Sequence, residues 1–487
     1  MVQKVGVLKL LTCLFFASLF EYSQADFTFL SPCFAIRWDS KGEVRGLLCG
    51  CRLKHFECNL NKRNLIVDAN FAQKVASQDT ASSTRNVRTP ALDDFFSVKN
   101  PDTVKFVNVM ARESVKLAAS DMFFEPRKDD LRVRLRIDGV LYEVGTLSLE
   151  SYAQISSRIK VLSKLDPTEK RKIQEGQFTL DIDGAIINLR VEIAQTIHGE
   201  LIIIRIHESK SIIMDMSKLG FSRVAYDIYQ QMLKQRSGLI LVCGPTGCGK
   251  TTTLYSTINQ LNENQNYNVM TIEDPVEFQL KGTNQMQVQQ DINFTFAQGL
   301  KTILRLSPDI VLVGEIRDRE TAEIAVESGL TGQLVLSTLH AEDSVGALFR
   351  MLDLDIETYL LNSALMGIVA QRLVRRLCPS CRTVCEPTQE ELELFKSVVG
   401  RAPKQLMKSP GCIQCQELGF KGRMGIYEVF AMNARIRSLI RGKVHEEELR
   451  NALVTEGFVT LLRDGLEKAE QGLTTVSEVL RNSLRVV

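Results

Sequence analysis

The residues Gly244 to Thr252 read GPTGCGKTT, a glycine, a four-residue gap, then glycine, lysine and threonine. This G-x-x-x-x-G-K-[ST] spacing suits a phosphate. Glycines let the backbone wrap tightly, and a following helix aims its free N–H groups at the anion. The apolar run Leu239-Ile240-Leu241-Val242-Cys243 precedes it and Thr253-Leu254-Tyr255 follows, predicting strand, loop and helix. The loop would comprise Gly244, Pro245, Thr246, Gly247, Cys248, Gly249, Lys250, Thr251 and Thr252. Lys250 would meet the β- and γ-phosphates, and the Thr251 hydroxyl would ligate Mg²⁺. The expected ligand is a nucleoside triphosphate.

Further groups gain meaning beside this loop. The apolar run Ile310–Val313 ends in Gly314-Glu315. Glu315 there can hold the Mg²⁺ shell or polarise an attacking water, although alone it would read as a cap for the helix after it. Glu273-Asp274-Pro275-Val276-Glu277 follows the run Val269–Ile272, and Glu273 is expected to assist the water as a base. His340 ends the run Leu334–Leu339 and is expected to sense the γ-phosphate. Arg205 lies in Leu201–Ile206, read as a nearly continuous buried strand, so it needs a phosphate or a carboxylate such as Glu192. Cys378-x-x-Cys381 and Cys412-x-x-Cys415 form a four-thiolate set suited to tetrahedral Zn²⁺, with Cys385 a bystander or substitute ligand. Cys248 could make the site thiol-sensitive.

Strands alternating with helices from 216 to 372 predict a parallel-sheet α/β domain around these groups. Before it, Leu131-Arg132-Val133-Arg134-Leu135-Arg136-Ile137 and Ile187–Ile193 alternate apolar and polar residues as half-buried strands do, and Tyr152–Leu165 has helical spacing. Residues 76–100 are small, polar and turn-rich, the pattern of a linker. From 423 to 487 amphipathic helices are expected. At 487 residues, 44% hydrophobic and 24% charged, the chain has room for several globular domains. Its net charge of +2 provides no basic footprint for nucleic acid. Of 12 cysteines, five precede residue 60 and five fall between 378 and 415, which argues for metal binding over a disulfide framework. No run of 18 apolar residues occurs. Lys4 and Lys9 before the apolar stretch Leu10–Phe20, with Ser23-Gln24-Ala25 after it, imitate a secretory signal. A chain that consumes a nucleoside triphosphate has no fuel outside the cytoplasm, so this stretch is read as an N-terminal helix, a docking element or the remnant of a small helical domain.

The segments GPTGCGKTTTLY, TIEDPVEFQL, LVGEIRDRETAEIA and LTGQLVLSTLH resemble, in order, the Walker A, Asp-box, Walker B and His-box motifs of the type II secretion and type IV pilus assembly ATPases. This is the GspE/PulE/PilB group. The resemblance covers about residues 100 to 487 and is strongest to the secretion members. It implies a divergent N-terminal docking region (1–75), a linker (76–100), a PAS-like α+β domain (101–215), a RecA-like P-loop motor domain (216–372), a zinc-binding insert (373–422) and a C-terminal helical region (423–487). It implies a homohexamer using ATP and Mg²⁺ at the cytoplasmic face of the inner membrane, docked through residues 1–95 to secretion or pilus platform proteins. It also assigns phosphate contacts to Arg190 and Arg205, and places Lys301 and Arg305 at a basic pair. Phe123 and Gln177 depart from its usual histidine and arginine. Retraction motors lack the zinc insert. A DNA-uptake motor remains the enzymatic alternative, and a non-hydrolysing scaffold would have lost Lys250 or Glu315.

Overall fold

The computed structural model describes residues 28–31, 34–38, 44–49, 87, and 89–483 except 99, 208–214, 264–265 and 443. The apolar stretch 10–20, the signal-like site at 23–25 and the linker residues 76–86 lie outside the described residues. The chain forms two compact units, Met1–Asn64 and Leu65–Val487. In the first, β1 (Thr28–Ser31), β2 (Phe34–Trp38) and β3 (Val44–Cys49) make an antiparallel sheet in sequence order.

The first helix among the described residues of the second unit is α1 (Pro90–Ser97), which corrects the linker expected through residue 100. Polar neighbours disguised Pro90-Ala91-Leu92-Asp93-Asp94-Phe95-Phe96, whose apolar residues need cover. Leu92 is buried, and Phe95 and Phe96 meet Phe106 edge-on at 5.7 and 5.9 Å. Phe106 belongs to α2 (Thr103–Lys116), whose first turn is capped by the Asp102 carboxylate. Then come β4 (Ala119–Pro126), β5 (Leu131–Ile137), β6 (Val140–Leu147), α3 (Leu149–Leu162), β7 (Gln174–Ile182), β8 (Ala185–Thr196) and β9 (Gly199–His207). The strands form an antiparallel sheet in the order β6-β5-β4-β9-β8-β7. One face shares an apolar core with α2 and α3. Strand β5 alternates as expected, with Arg132 and Arg134 both on the Glu125 carboxylate. Strand β9 also alternates rather than being buried throughout. Ile202 and Ile204 are buried while Arg205 lies outward, half-exposed.

The α/β region begins with α4 (Arg223–Leu233), followed by β10 (Gly238–Cys243), α5 (Lys250–Asn262), β11 (Val269–Glu273), β12 (Asn284–Gln287), α6 (Phe296–Leu304), β13 (Ile310–Val313), α7 (Arg319–Leu330), β14 (Leu334–Leu339), α8 (Ser344–Asp353), α9 (Thr358–Ala364) and β15 (Leu365–Leu377). An excursion holds β16 (Thr383–Cys385), α10 (Gln389–Val398) and β17 (Leu406–Lys408). Strand β18 (Phe420–Ala431) and helices α11 (Ala434–Arg441), α12 (Glu446–Thr455), α13 (Leu461–Glu470) and α14 (Val476–Ser483) complete the chain.

The seven-stranded sheet runs β12-β11-β13-β14-β10-β15-β18, parallel except for the antiparallel pair β15–β18. Strands β10, β11, β13 and β14 are buried along their whole length, as strands covered on both faces must be, so they read as unbroken apolar runs. The α/β domain does not end at 372. Strand β15 continues to Leu377, and residues 420–431, assigned from sequence to the insert and helical tail, return to pair with it. The cysteine-rich insert is therefore an excursion between two hydrogen-bonded neighbours.

Candidate functional site

Strand β10 delivers the phosphate loop to the carboxyl edge of the sheet. Gly244 needs its missing side chain, because a Cβ would lie 2.5 Å from Cys248 Sγ and 2.6 Å from the Gln371 carbonyl. Gly249, at φ 90°, occupies backbone space other residues avoid, and Lys250 opens α5 directly after it. No side chain caps that helix, leaving its first N–H groups for an anion. Pro245, Thr246, Gly247 and Thr251 are exposed at the loop's mouth. The Lys250 ammonium folds over the loop, donating to the carbonyls of Gly244 at 2.8 Å and Pro245 at 3.1 Å. Cys248 is 3% exposed, and burial pushes its thiol above the ordinary range. That removes the thiol sensitivity expected from sequence, since the thiolate is the reactive form.

Sheet order sets β11, β13, β14 and β10 side by side, so Glu273, Glu315 and His340 reach the edge that carries the loop. Glu315 is largely buried. One carboxylate oxygen pairs with Arg317, while Oε2 is buried with no hydrogen-bond partner. His340 Nε2 stands 3.6 Å from that oxygen. Desolvation, then the Lys250 charge, holds the imidazole below its usual pKa, so it is neutral at pH 7. An orphaned carboxylate oxygen at the sheet edge that also carries the loop fits a hard cation and its water.

Glu273 has a different environment from the one its sequence position implied. Its carboxylate turns inward and accepts from the Tyr255 hydroxyl at 2.5 Å, Thr271 Oγ1 at 2.6 Å and Gln285 Nε2 at 3.1 Å. Both oxygens are engaged, which suits a group that fixes the end of β11 better than one that accepts a proton.

On the second-domain sheet, register places Gln177, Arg190, Arg205, Asp121 and Arg136 opposite one another on successive strands. Arg205 pairs with Asp121 at 3.0 Å rather than with Glu192, and Arg136 approaches the same carboxylate at 3.3 Å. Along this row one aspartate lies among three arginines, and Glu192, two residues from Arg190 on the same face, also attracts Arg205. Lys301 is engaged with Glu320 at 2.6 Å, and Arg305 caps the end of α6.

The sulfur atoms of Cys378, Cys381, Cys412 and Cys415 all lie within 4.8 Å of one another. Neighbouring pairs are 3.8 to 3.9 Å apart. A tetrahedral zinc with Zn–S bonds of about 2.3 Å requires sulfurs about 3.8 Å apart, so the set fits that ion. Hydrogen bonding from the Cys415 backbone draws the Cys412 thiol down to about 7, while burial pushes the neighbouring Cys415 thiol up to about 12, so a metal bound here would have to displace that proton. Cys385 stands outside the set and packs in the insert's apolar cluster.

Sequence reasoning missed the contacts that join the domains at this site. The Gly422 N–H donates to Asp138 Oδ2 at 2.8 Å, and Arg375 donates to the Tyr142 hydroxyl at 2.9 Å while pairing with buried Glu478 of α14. A cavity of about 160 Å³ opens between Thr246 and Cys248 of the loop, Val140 of the second domain, Arg372 and Arg481.

The family described as Type II/IV secretion system protein matches residues 98–481. The chain is 40% identical over 403 residues to the type II secretion system ATPase E of Vibrio cholerae, covering 80% of each chain. It is 40% identical over 385 residues to the type IV pilus assembly ATPase PilB of Myxococcus xanthus, covering 78% of this chain and 68% of that one. The solved structure of the Yersinia pseudotuberculosis ATPase DotB superposes with a TM-score of 0.60 at 20% identity, over 79% of this chain and 95% of that one, a likeness of fold. Among the described residues, no helix is long and apolar enough to cross a membrane.

Proposed function

From the premise that the chain belongs to the type II/IV secretion system protein family, we propose that it is a Mg²⁺-dependent, hexameric ATPase. It works peripherally at the cytoplasmic face of the inner membrane and drives pseudopilus assembly for type II secretion. The observation that carries the catalytic reading is the unpartnered Glu315 Oε2, set beside His340 at the edge that bears the phosphate loop.

Lys250 leaves the loop carbonyls to meet the β- and γ-phosphates, while the loop N–H groups hold the α- and β-phosphates. Thr251 and Glu315 would hold Mg²⁺, which when bound would neutralise phosphate charge. Glu315 also orients the water, and neutral His340 donates a hydrogen bond towards the γ-phosphate. Glu273 fixes the neighbouring strand end. Arg190 and Arg205, from their row on the second-domain sheet, make the second domain responsive to the phosphates. Cys378, Cys381, Cys412 and Cys415 hold zinc as a structural ion.

Lys250→Ala should abolish ATP hydrolysis while the far-ultraviolet circular dichroism stays that of the wild type; near-normal turnover would sink the site assignment. The almost equal similarity to a pilus assembly ATPase makes pilus extension the second reading. Capture of membrane partners by the full chain separates them, through a secretion-system inner-membrane protein in one case and a pilus platform protein in the other.

A further inference from the structure

Gln371 lies on β15, next to β10 in the sheet, and is 1% exposed. A buried primary amide is costly unless both ends find partners. Here both partners belong to the phosphate loop and its helix. The Gln371 Nε2 donates to the carbonyl of Cys248 at 2.7 Å, and its Oε1 accepts from the Thr253 hydroxyl at 2.8 Å. The amide thus spans the turn from loop to α5.

Other bonds also hold the loop, the Thr253 N–H reaching the Gly249 carbonyl at 3.0 Å in the first turn of α5. Gly244 N–H reaches the Leu339 carbonyl, and Cys248 N–H the Pro245 carbonyl, each at 3.4 Å. The Lys250 ammonium must leave its loop carbonyls when a phosphate takes it. A Cβ on Gly249 would lie 3.2 Å from Gln371 Nε2 and 3.7 Å from Leu373, so the loop and this strand are shaped to each other.

We propose that Gln371 is a positioning residue, setting the loop in its phosphate-accepting form before nucleotide arrives. The stereochemistry is direct. In a trans peptide the N–H points opposite to the carbonyl of the preceding residue. Holding the Cys248 carbonyl against buried Gln371 turns the Gly249 N–H towards the open side of the loop. Gln371 acts through this peptide and through Thr253.

The inference rests on the ATP reading above, and the test separates the two. MgATP affinity of the full chain is measured with a fluorescent nucleotide, alongside KM, kcat and melting temperature. The variants are Gln371→Met, which keeps the volume and loses both bonds, and Gln371→Glu, which keeps the acceptor for Thr253 and loses the donor. Leaving the Cys248 carbonyl unheld should weaken MgATP binding and raise KM on the order of tenfold in both. With the catalytic groups in place, kcat should stay within about threefold, the mark of lost uniform binding. Wild-type affinity and KM in a folded Gln371→Met variant overturn the proposal; if that variant does not fold, the same result in Gln371→Glu does so. Loss of kcat with unchanged KM also overturns it. A wild-type chain that does not bind MgATP sinks both readings.

Discussion

A thiol at position 248, on a loop that must open to a charged ligand, reads as a reactive group, and its surroundings make it inert. Burial raises its pKa above 9.0, so protonation and steric cover both oppose alkylation at pH 8. Peptide mapping after N-ethylmaleimide treatment should find Cys248 unlabelled in the native chain and labelled in urea; rapid native labelling would refute the buried geometry. The strand–loop–helix placement of Gly244, Gly249, Lys250 and Thr251, and of Glu315 at the end of β13, was legible in the sequence because such a loop fixes residue type and spacing locally. Gln371 was not legible. It is 123 residues from Cys248, and only the placing of β15 beside β10 brings the two together. Glu273 was legible in place and not in its contacts: the hydroxyls of Tyr255 and Thr271 that its carboxylate accepts from lie on another element and within its own strand.

At the scale of elements, unbroken apolar strands and clean alternation were easy to read, and mixed strands were not. Strand β15 carries Gln371, Arg372 and Arg375 within its 13 residues, so no simple period shows. Those polar residues serve the phosphate loop and the second domain, which is why they interrupt the pattern. Strand β18 was lost because its partner lies across the insert. Helix α1 was lost because two aspartates and a proline masked an aromatic pair. The insert yields a prediction of its own. Leu394, Phe395 and Leu406 share an apolar cluster with Leu466, Val479 and Leu480, a small core that needs help to stay folded. The wild-type chain should carry about one zinc, and Cys378→Ser with Cys381→Ser should carry none and open the insert to proteolysis. A wild-type chain without zinc would rule this out.

At the scale of the molecule, Arg375 and Glu478 hold the motor sheet, α14 and the second-domain hairpin at one point. Arg375 is 7% and Glu478 4% exposed, and Tyr142 completes the contact. Glu478→Ala leaves a buried guanidinium uncompensated and should cost about 3–5 kcal/mol, read as a large fall in melting temperature. Arg375→Met with Glu478→Leu should recover most of it; a wild-type melting temperature in Glu478→Ala would show the pair to be dispensable. The insert's attachment has another consequence. Cys378 follows the last residue of β15, and Cys412 and Cys415 stand just before β18, so the thiols gather at the neck of the excursion, not its tip. A zinc held there would close the loop at its base, and the closure cost would then grow only slowly with the number of residues beyond it. Parts of residues 382–411 away from Leu394, Phe395 and Leu406 could then change in length or composition at little cost, whereas those three pack on α13 and α14 and so are tied through Glu478 to β15.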